Sequence, residues 1–289
     1  MLEFWSAAAS QPLARNAVLA ALLLSVACGT VGTYVVVRRI TYIAAGVAHC
    51  VLGGMGAARY LQTVLGWEFF HPMYGALIAA LTAAGVIGWV SVNSREREDS
   101  AISAVWSLGM ALGVIFIYLT PGYTSDLMGY LFGNILLVTS GHLYFILAMD
   151  VVVLGMVLYW FDEFEAVCFD EEYARTRNIS VSRIYILLLA LTALTVVALS
   201  MIVGIVLVIA LLTLPAALAG RFAGSLFQMM ALATGLCMFF CLVGLTLSYG
   251  PDLPAGPIII VVAGGCYFVV AVAAFLRQFL RRSRRDSRT

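Results

Sequence analysis

The sequence contains no lysine, so every one of its sixteen basic residues is an arginine. Without lysine the chain cannot form a Walker A loop, in which a lysine side chain holds the nucleotide phosphates. The HExxH and GxSxG patterns of zinc peptidases and serine hydrolases are also missing. The sequence therefore excludes nucleotide binding by a Walker A loop within this chain and offers no recognisable catalytic arrangement.

Charge of either sign is scarce, because only 11% of the 289 residues are charged and 63% are hydrophobic. A soluble domain of this length carries roughly twice that charged fraction. Apolar runs such as 17–37 and 258–280 reach the roughly 20 residues needed to cross a hydrocarbon core. The composition predicts a polytopic protein of the lipid bilayer, and its net charge of +1 gives no indication of nucleic-acid binding.

Six cysteines are present but form no CxxC pair, so nothing indicates a disulfide framework or a thiolate zinc site. Cys237 and Cys241 lie four residues apart, near Met229, Met230 and Met238. Such a set could bind a soft ion such as Cu(I). Soft side chains are also ordinary packing material in apolar helices, and this second interpretation is the one we favour.

Nine apolar runs follow one another along the chain. They cover residues 17–37, 42–66, 72–92, 101–119, 143–161, 184–201, 204–219, 226–249 and 257–280. The stretch 120–142 is too rich in glycine and polar residues for a plain span, which favours a half-helix or re-entrant segment. The 26 glycines indicate closely packed helices. We expect an all-α transmembrane bundle of about eight or nine spans, forming a single domain over residues 1–289.

The arginines predict the orientation, because cytoplasmic loops carry an excess of basic residues. The basic tail 277–289 is expected in the cytoplasm. Counting spans back from it places the remaining arginine clusters on the same side, namely Arg221, the segment 162–183, the loop 93–100, and the pair Arg38 and Arg39. Nine crossings then place the N-terminus outside.

The stretch GIVLVIALLTLPAALAGRFAGSL begins at Gly204 as a run apolar enough to lie within a membrane. After Pro215 it becomes rich in small and polar residues. Proline cannot donate a backbone hydrogen bond and clashes with the preceding turn. We expect the long helix to kink or end near Leu214 and a short helix to restart at Ala216, with Arg221 at the cytoplasmic surface. An ordinary kinked span is the alternative.

This stretch resembles the coupling region of the zinc/manganese/iron permeases of ATP-binding-cassette importers. Four further segments resemble blocks of the same family in the same order: VVVRRITYIAAGVAHCVLGG, SDLMGYLFGNIL, FDEEYARTRNISV and GLTLSYGPDLPAGPIIIVVA. The resemblance implies a permease fold like that of the vitamin B12 importers, in the bacterial cytoplasmic membrane. It implies transport of Zn²⁺ or Mn²⁺, with Fe²⁺ as a further candidate, and no permanently bound cofactor.

The resemblance also implies the partners. A separate ATPase dimer is expected to bind the coupling segment 215–225, through Pro215, Ala216, Ala217, Gly220, Arg221 and Ser225. A second copy of the chain, or a close paralogue, would complete the translocation path. An extracellular metal-binding protein would dock on the loops near residues 68–72, 121–126 and 249–256.

His49 is the most informative polar residue within a span. On helical spacing it shares one face with Ala45, Gly53, Gly56 and Tyr60. Ionisable residues within spans usually face the bundle interior or an aqueous path, and neutral imidazole is a good zinc or manganese ligand. The resemblance places a metal-pathway histidine at this position. A histidine that is only hydrogen-bonded within the bundle is the alternative.

One departure from the family concerns Ala45, where the family usually has an aspartate. Without that carboxylate the span offers the His49 imidazole beside Cys50 and Met55. Metal contact is therefore expected to be weaker or to be completed by the second subunit. Asp150, within the run 143–161, is a further candidate for the translocation path because a buried carboxyl needs a partner or water.

The other two histidines, His71 and His142, are expected near the outer face, with Glu68 and Asp126 in neighbouring loops. They could guide a metal ion delivered from outside. Ordinary interfacial roles for these residues are the interpretation we favour.

The stretch 170–181, within the charged segment 162–183, predicts a short cytoplasmic helix, and a plain solvated loop is the alternative. Asp170 can cap it, and Glu171 and Glu172 occupy the first turn, where negative charge suits the helix dipole. Asn178 stands where the family usually has glycine, and asparagine tolerates the left-handed conformation that ends helices.

A secondary carrier driven by an ion gradient is the alternative function. Such a carrier needs carboxylates within the membrane to bind the coupling ion or proton. Within well-defined spans the sequence offers only Asp150, and this scarcity weighs against the carrier.

Overall fold

The computed structural model describes residues 2–67, 69–93, 98–121, 127–133, 135–251 and 253–286. These residues form thirteen α-helices and a 3₁₀ turn at Ile135–Leu137, and they contain no strand. Glu68 and Asp126, two of the candidate outer-face residues, lie outside the described residues. The helices are α1 Leu2–Ser10, α2 Pro12–Val37, α3 Thr41–Val64, α4 Pro72–Asn93, α5 Glu98–Leu119, α6 Leu127–Phe132, α7 Ser140–Tyr159, α8 Phe161–Phe169, α9 Glu171–Thr176, α10 Val181–Val203, α11 Ile205–Ala219, α12 Leu226–Tyr249 and α13 Ala255–Asp286.

Eight of the described helices are long and apolar enough to cross a membrane: α2, α3, α4, α5, α7, α10, α12 and α13. A further apolar helix, α11, has only 15 residues. The prediction of an all-α bundle with eight or nine spans is therefore confirmed. The helices α2, α3 and α10 are mostly buried and form the centre, whereas α5, α7 and α13 are mostly exposed at the periphery.

Glycine allows α3 to lie against both α4 and α5. A Cβ atom on Gly75 of α4 would collide with the carbonyl oxygen of Gly54 on α3. A Cβ atom on Gly53 would lie 2.5 Å from the carbonyl oxygen of Gly109 on α5. Because lipid provides no hydrophobic force between helices, such close backbone contact stabilises the bundle, as the glycine content predicts.

The segment between α5 and α7 contains the short α6 and the 3₁₀ turn rather than a span, which confirms the prediction for its described residues. Gly133 follows α6 with φ of 59°, and Gly204 joins α10 to α11 with φ of 77°. The two glycines touch, and a Cβ atom on either would collide with the backbone of the other segment. This contact holds the junction between α10 and α11 in place.

The expected end of the long helix near Leu214 is wrong, because α11 runs from Ile205 to Ala219 with Pro215 inside it. The kink expected at this proline stays a prediction. Proline removes one backbone hydrogen bond of a helix interior and its ring clashes with the preceding turn, so it opposes this continuity. Side chains of α11 are buried on both sides of the proline, including Leu212 and Leu218. Tertiary packing therefore keeps this helix continuous past a residue that favours a kink.

Candidate functional site

His49 lies in α3 with its imidazole stacked on the indole of Trp106 from α5, at a centroid distance of 4.6 Å and an interplanar angle of 9°. The side chain is half-buried. Its Nδ1 atom is buried and has no hydrogen-bond partner among the described residues. A purely structural histidine would pair a buried ring nitrogen, so this geometry favours a histidine that is available to a ligand.

The predicted small face of α3 is the face that meets α5. Gly53 contacts α5 backbone, and the Tyr60 ring lies 5.6 Å from that of Phe116 on α5, centroid to centroid. Ala45, one turn before His49, is also buried. The imidazole of His49 therefore lies where α3 meets α5.

Cys50 takes part in the same helix contact. Its thiol donates a hydrogen bond to the carbonyl oxygen of Val105, with an Sγ to O distance of 3.2 Å, and it packs against Gly109. Although it follows His49 in sequence, its sulfur is engaged with α5 backbone. The structure gives Cys50 a packing role in this conformation.

Asp150 lies on α7, which packs on α2 and α10. Its side chain is 4% exposed, and Oδ2 has no hydrogen-bond partner among the described residues. The Cys28 thiol of α2 is an electrostatic neighbour of this carboxyl group. Asp150 is therefore placed on the α2 side of the bundle, and the structure does not bring it together with His49.

The cysteines of α12 are packed inside the bundle. Cys237 and Cys241 are fully buried, and the thiol of Cys237 interacts with those of Cys241 and Cys28. Within the described part of the chain, no group of three histidine, cysteine, aspartate or glutamate side chains is arranged to hold a metal ion. The thiols therefore fit the packing interpretation rather than a copper site.

The two remaining histidines stabilise helix starts. Nδ1 of His71 accepts a hydrogen bond from the backbone N–H of Met73, with an N to N distance of 3.3 Å. Nδ1 of His142 accepts one from the backbone N–H of Thr139 at 3.4 Å, within the capping box of α7. These contacts agree with the ordinary interfacial roles that we favour for both residues.

The turn between α11 and α12, residues 220–225, is called the coupling turn and carries most of the exposed residues of the predicted coupling segment. Ser225 caps α12 by accepting a hydrogen bond from the N–H of Gln228 at 3.2 Å. The Arg221 guanidinium lies over the Tyr267 ring of α13, 5.7 Å from its centroid. Phe222 is 70% exposed. It was not among the predicted coupling residues, although an aromatic residue within a small, polar turn is a usable signal.

The rest of the predicted coupling segment lies on α11 and at its end. Pro215, Ala216 and Ala219 are buried, and Ala217 is partly buried. The last turn of α11 packs on Val36 and Val37 at the end of α2, and Gly220 lies beside the Met229 side chain. The coupling turn and the end of α2 are thus at the same end of the bundle.

The short helix predicted within 170–181 is present as α9, and a second short helix, α8, precedes it in the charged segment 162–183. The predicted cap is confirmed, because Asp170 accepts a hydrogen bond from the N–H of Tyr173 at 3.0 Å. The prediction for Asn178 is also confirmed, since its φ is 58°. The start of α9 and the turn that follows it therefore lie at the residues whose types predict them.

Arg38 ties these helices to α2. Its guanidinium donates to the Val167 carbonyl oxygen at 3.1 Å and to the Glu171 carboxylate at 2.8 Å. Nearby, burial raises the pKa of the Cys168 thiol to about 12, a rise that the charge of Arg38 opposes and that of Glu165 slightly reinforces. The end of α2, the segment 162–183 and the coupling turn therefore lie together at one end of the bundle.

The opposite end of the bundle carries the start of the chain. The Phe4 ring of α1 lies 5.5 Å from that of Tyr249 at the end of α12, centroid to centroid. Gly256, at the start of α13, contacts the carbonyl oxygen of Phe132 at the end of α6. The described residues of the arginine-rich segments thus gather at one end, and those of the predicted outer loops lie at the other.

This bundle, with its short α11 and the non-spanning α6, is a bacterial multi-pass membrane permease of the vitamin-B12-importer-like type. The chain belongs to the ABC 3 transport family, whose model matches residues 10–274. The family resemblance of the five sequence segments is therefore confirmed.

Individual relatives match almost end to end. A probable metal transport system membrane protein of Chlamydia trachomatis is 40% identical over 259 residues, which are 89% of this chain and 87% of that protein. The manganese transport system membrane protein MntC of Listeria monocytogenes is 31% identical over 273 residues, 94% of each. Among solved structures, PsaBC from Streptococcus pneumoniae in complex with Fab matches with a TM-score of 0.82 at 28% identity, covering 93% of this chain and 94% of that one.

Proposed function

We propose that this chain is the membrane-spanning subunit of an ATP-driven importer of divalent transition metal ions. The observation that carries the proposal is the nearly full-length similarity to relatives named for metal and manganese transport. Those names favour Mn²⁺ over Zn²⁺ and Fe²⁺ as cargo. The permease itself is not an enzyme in this scheme, because a separate ATPase subunit hydrolyses ATP.

His49 is the residue that we propose to contact the metal ion in the membrane. Its unpaired Nδ1 supports this role, because a neutral imidazole nitrogen is a good ligand for these ions. The side chain lies on α3 against the peripheral helix α5, so a second copy or a paralogue packed nearby would supply the missing ligands. Weak contact suits a transport path, which must also release its cargo.

The arginine-rich end of the bundle is proposed to face the cytoplasm, as the excess of basic residues favours. The ATPase dimer would bind there at residues 215–225, where Arg221 and the exposed Phe222 supply charge and apolar surface. A metal-binding protein would dock at the other end, near residues 68–72, 121–126 and 249–256. Closure of the ATPases would then switch the path between outward-open and inward-open states.

Reconstitution in liposomes tests the function. Together with its cognate ATPase, the permease should take up Mn²⁺ only when ATP is supplied on the ATPase side. The matched control is the permease alone under a proton or sodium gradient. Robust uptake by the permease alone would overturn the proposal in favour of a secondary carrier, which would have to bind its coupling ion or proton at Asp150, the one acidic residue that the sequence offers within well-defined spans.

A further inference from the structure

A polar cavity of about 480 Å³ opens at the arginine-rich end of the bundle. Its walls come from the turn between α2 and α3, the end of α4, the beginnings of α5 and α10, and α9. It lies outside the coupling turn and away from His49. The contacts described above give it no role in metal transport.

Three guanidinium groups line this cavity: those of Arg38, Arg39 and Arg175. Arg38 is held by Glu171 at 2.8 Å, yet its Nε atom is buried and has no hydrogen-bond partner among the described residues. Arg175 lies 3.9 Å from the other oxygen of Glu171. Arg39 is exposed and makes no side-chain hydrogen bond or ion pair within the described part of the chain.

Two helix N-termini add to the positive potential. The first-turn residues Tyr42 of α3 and Ser182 of α10 line the cavity. Neither helix has a side-chain cap, so the N–H groups of both first turns lack the usual side-chain acceptor. Amide groups at a helix N-terminus and the associated dipole favour an anion.

The acidic residues of the cavity do not cancel this charge. Asp99 and Glu171 contribute two negative charges against the three arginines, and Glu171 is already occupied by Arg38. A ligand with several oxygens could accept hydrogen bonds from the guanidinium groups and from backbone N–H groups at once. Phosphate presents such oxygens, and arginine is well suited to bind it.

We propose that this cavity binds a phosphate group, carried either by the headgroup of an anionic phospholipid or by a free phosphate in the cytoplasm. The position at the end of the spans makes both sources accessible. The proposal does not depend on the transported ion, because the cavity is a separate site, at the same end of the bundle as the coupling turn and away from His49.

The test uses the full-length permease, stripped of lipid in detergent, and two probes. Inorganic phosphate is titrated in one arm, and phosphatidylglycerol against phosphatidylcholine in the other, with native mass spectrometry counting the bound molecules. The test variant is Arg39→Gln/Arg175→Gln. The control is Arg177→Gln/Arg183→Gln, which removes the same two charges from exposed arginines that line other cavities.

We expect the wild type and Arg177→Gln/Arg183→Gln to bind at least one probe with equal affinity. The test variant should bind it about tenfold or more weakly, since each charge-assisted hydrogen bond contributes about a factor of ten. Binding of phosphatidylglycerol alone identifies a lipid headgroup, and binding of inorganic phosphate alone identifies a soluble ligand. Absence of binding to the wild type, or equal binding by the test variant, overturns the proposal.

A folding defect in the test variant would not remove the test. The single variant Arg39→Gln then replaces it, because the Arg39 side chain is exposed and makes no hydrogen bond or ion pair among the described residues. Thermal unfolding of this variant should match that of the wild type. Unchanged affinity for both probes in Arg39→Gln would then count against the proposed site.

Discussion

The imidazole of His49 is stacked on Trp106, and its buried Nδ1 is without a partner among the described residues. We expect His49→Gln to lower Mn²⁺ uptake by the reconstituted complex about tenfold or more, because loss of a metal contact costs at least that in affinity. Cys50→Ala is the matched control, since the Cys50 thiol is engaged with α5 backbone. Uptake that survives His49→Gln at the wild-type rate would assign the permease a scaffolding role or a different path.

The Cys168 thiol gives a prediction that depends on pH. Burial raises its pKa to about 12, so the thiol is protonated and poorly nucleophilic at neutral pH. We expect its alkylation rate by iodoacetamide, followed by site-resolved mass spectrometry, to rise about tenfold per pH unit between about pH 8 and pH 10. Glutathione in the same reaction serves as the control. A plateau near pH 9 at Cys168 would contradict the raised pKa.

Some of these residues could be identified from the sequence and others could not. His49 could be identified because an ionisable side chain within an apolar run is rare. The Arg38–Glu171 ion pair could not, because its partners stand 133 positions apart and only the packing of α9 near the end of α2 brings them together. The exposure of Phe222 likewise depends on the path of the turn, which no periodic pattern specifies.

At the scale of helices, the contact between α3 and α4 rests on two glycines. A Cβ atom at Gly75 would collide with the carbonyl oxygen of Gly54 and lie 2.6 Å from Cβ of Ala58. We expect Gly75→Ala to destabilise the protein by about 1–3 kcal/mol, the usual cost of overpacking. Thermal unfolding in detergent provides the measurement.

Gly85→Ala is the matched control, because it lies on the same helix and its added Cβ would meet nothing within 4 Å. That variant should be at least as stable as the wild type, since alanine favours helix by about 1 kcal/mol over glycine. Equal stability of Gly75→Ala and Gly85→Ala would show that the two helices separate readily.

The turn after α9 depends on Asn178, whose φ is 58°. We expect Asn178→Ala to cost about 1 kcal/mol, because a Cβ-bearing residue without a short polar side chain is strained in this conformation. Asn178→Gly should be neutral or stabilising, since glycine adopts positive φ freely. A lower unfolding temperature for the glycine variant than for the alanine variant would contradict this account of the turn.

Helix boundaries followed from local signals only where packing agreed with them. Asp170 and Asn178 mark the start of α9 and the turn after it, as their chemistry predicts. Pro215 does not end α11, because buried side chains on both sides of it hold the helix together. A single sequence displays the preference of a proline but not the packing that overrides it.

At the scale of the whole molecule, the proposed assembly depends on the turn after α11. We expect Arg221→Glu to reduce co-purification of the ATPase, because the substitution reverses the charge at the proposed contact. Phe222→Ala should act in the same direction by removing exposed apolar surface. Interface residues of these two types often carry much of the binding energy.

Arg15→Glu is the control, since it makes the same charge reversal on an exposed residue of the first turn of α2, at the other end of the bundle. Size-exclusion chromatography should show folded permease in all three variants. Full retention of the ATPase by Arg221→Glu and Phe222→Ala would place the docking site elsewhere.

The number and approximate bounds of the spans were largely predictable, because span length depends on the bilayer rather than on details of packing. The order in which spans pack was not predictable. Apolar helices of similar composition differ little in periodicity, and close contacts such as that of Gly133 with Gly204 become visible only in three dimensions.

The continuity of α11 has a mechanical consequence. A break at Pro215 would have let the coupling turn swivel independently of the membrane domain. Instead, one helix of about 22 Å joins that turn to Gly204, which touches the end of α6. A displacement of the coupling turn by a bound ATPase would therefore be passed along α11 to the segment beside α6.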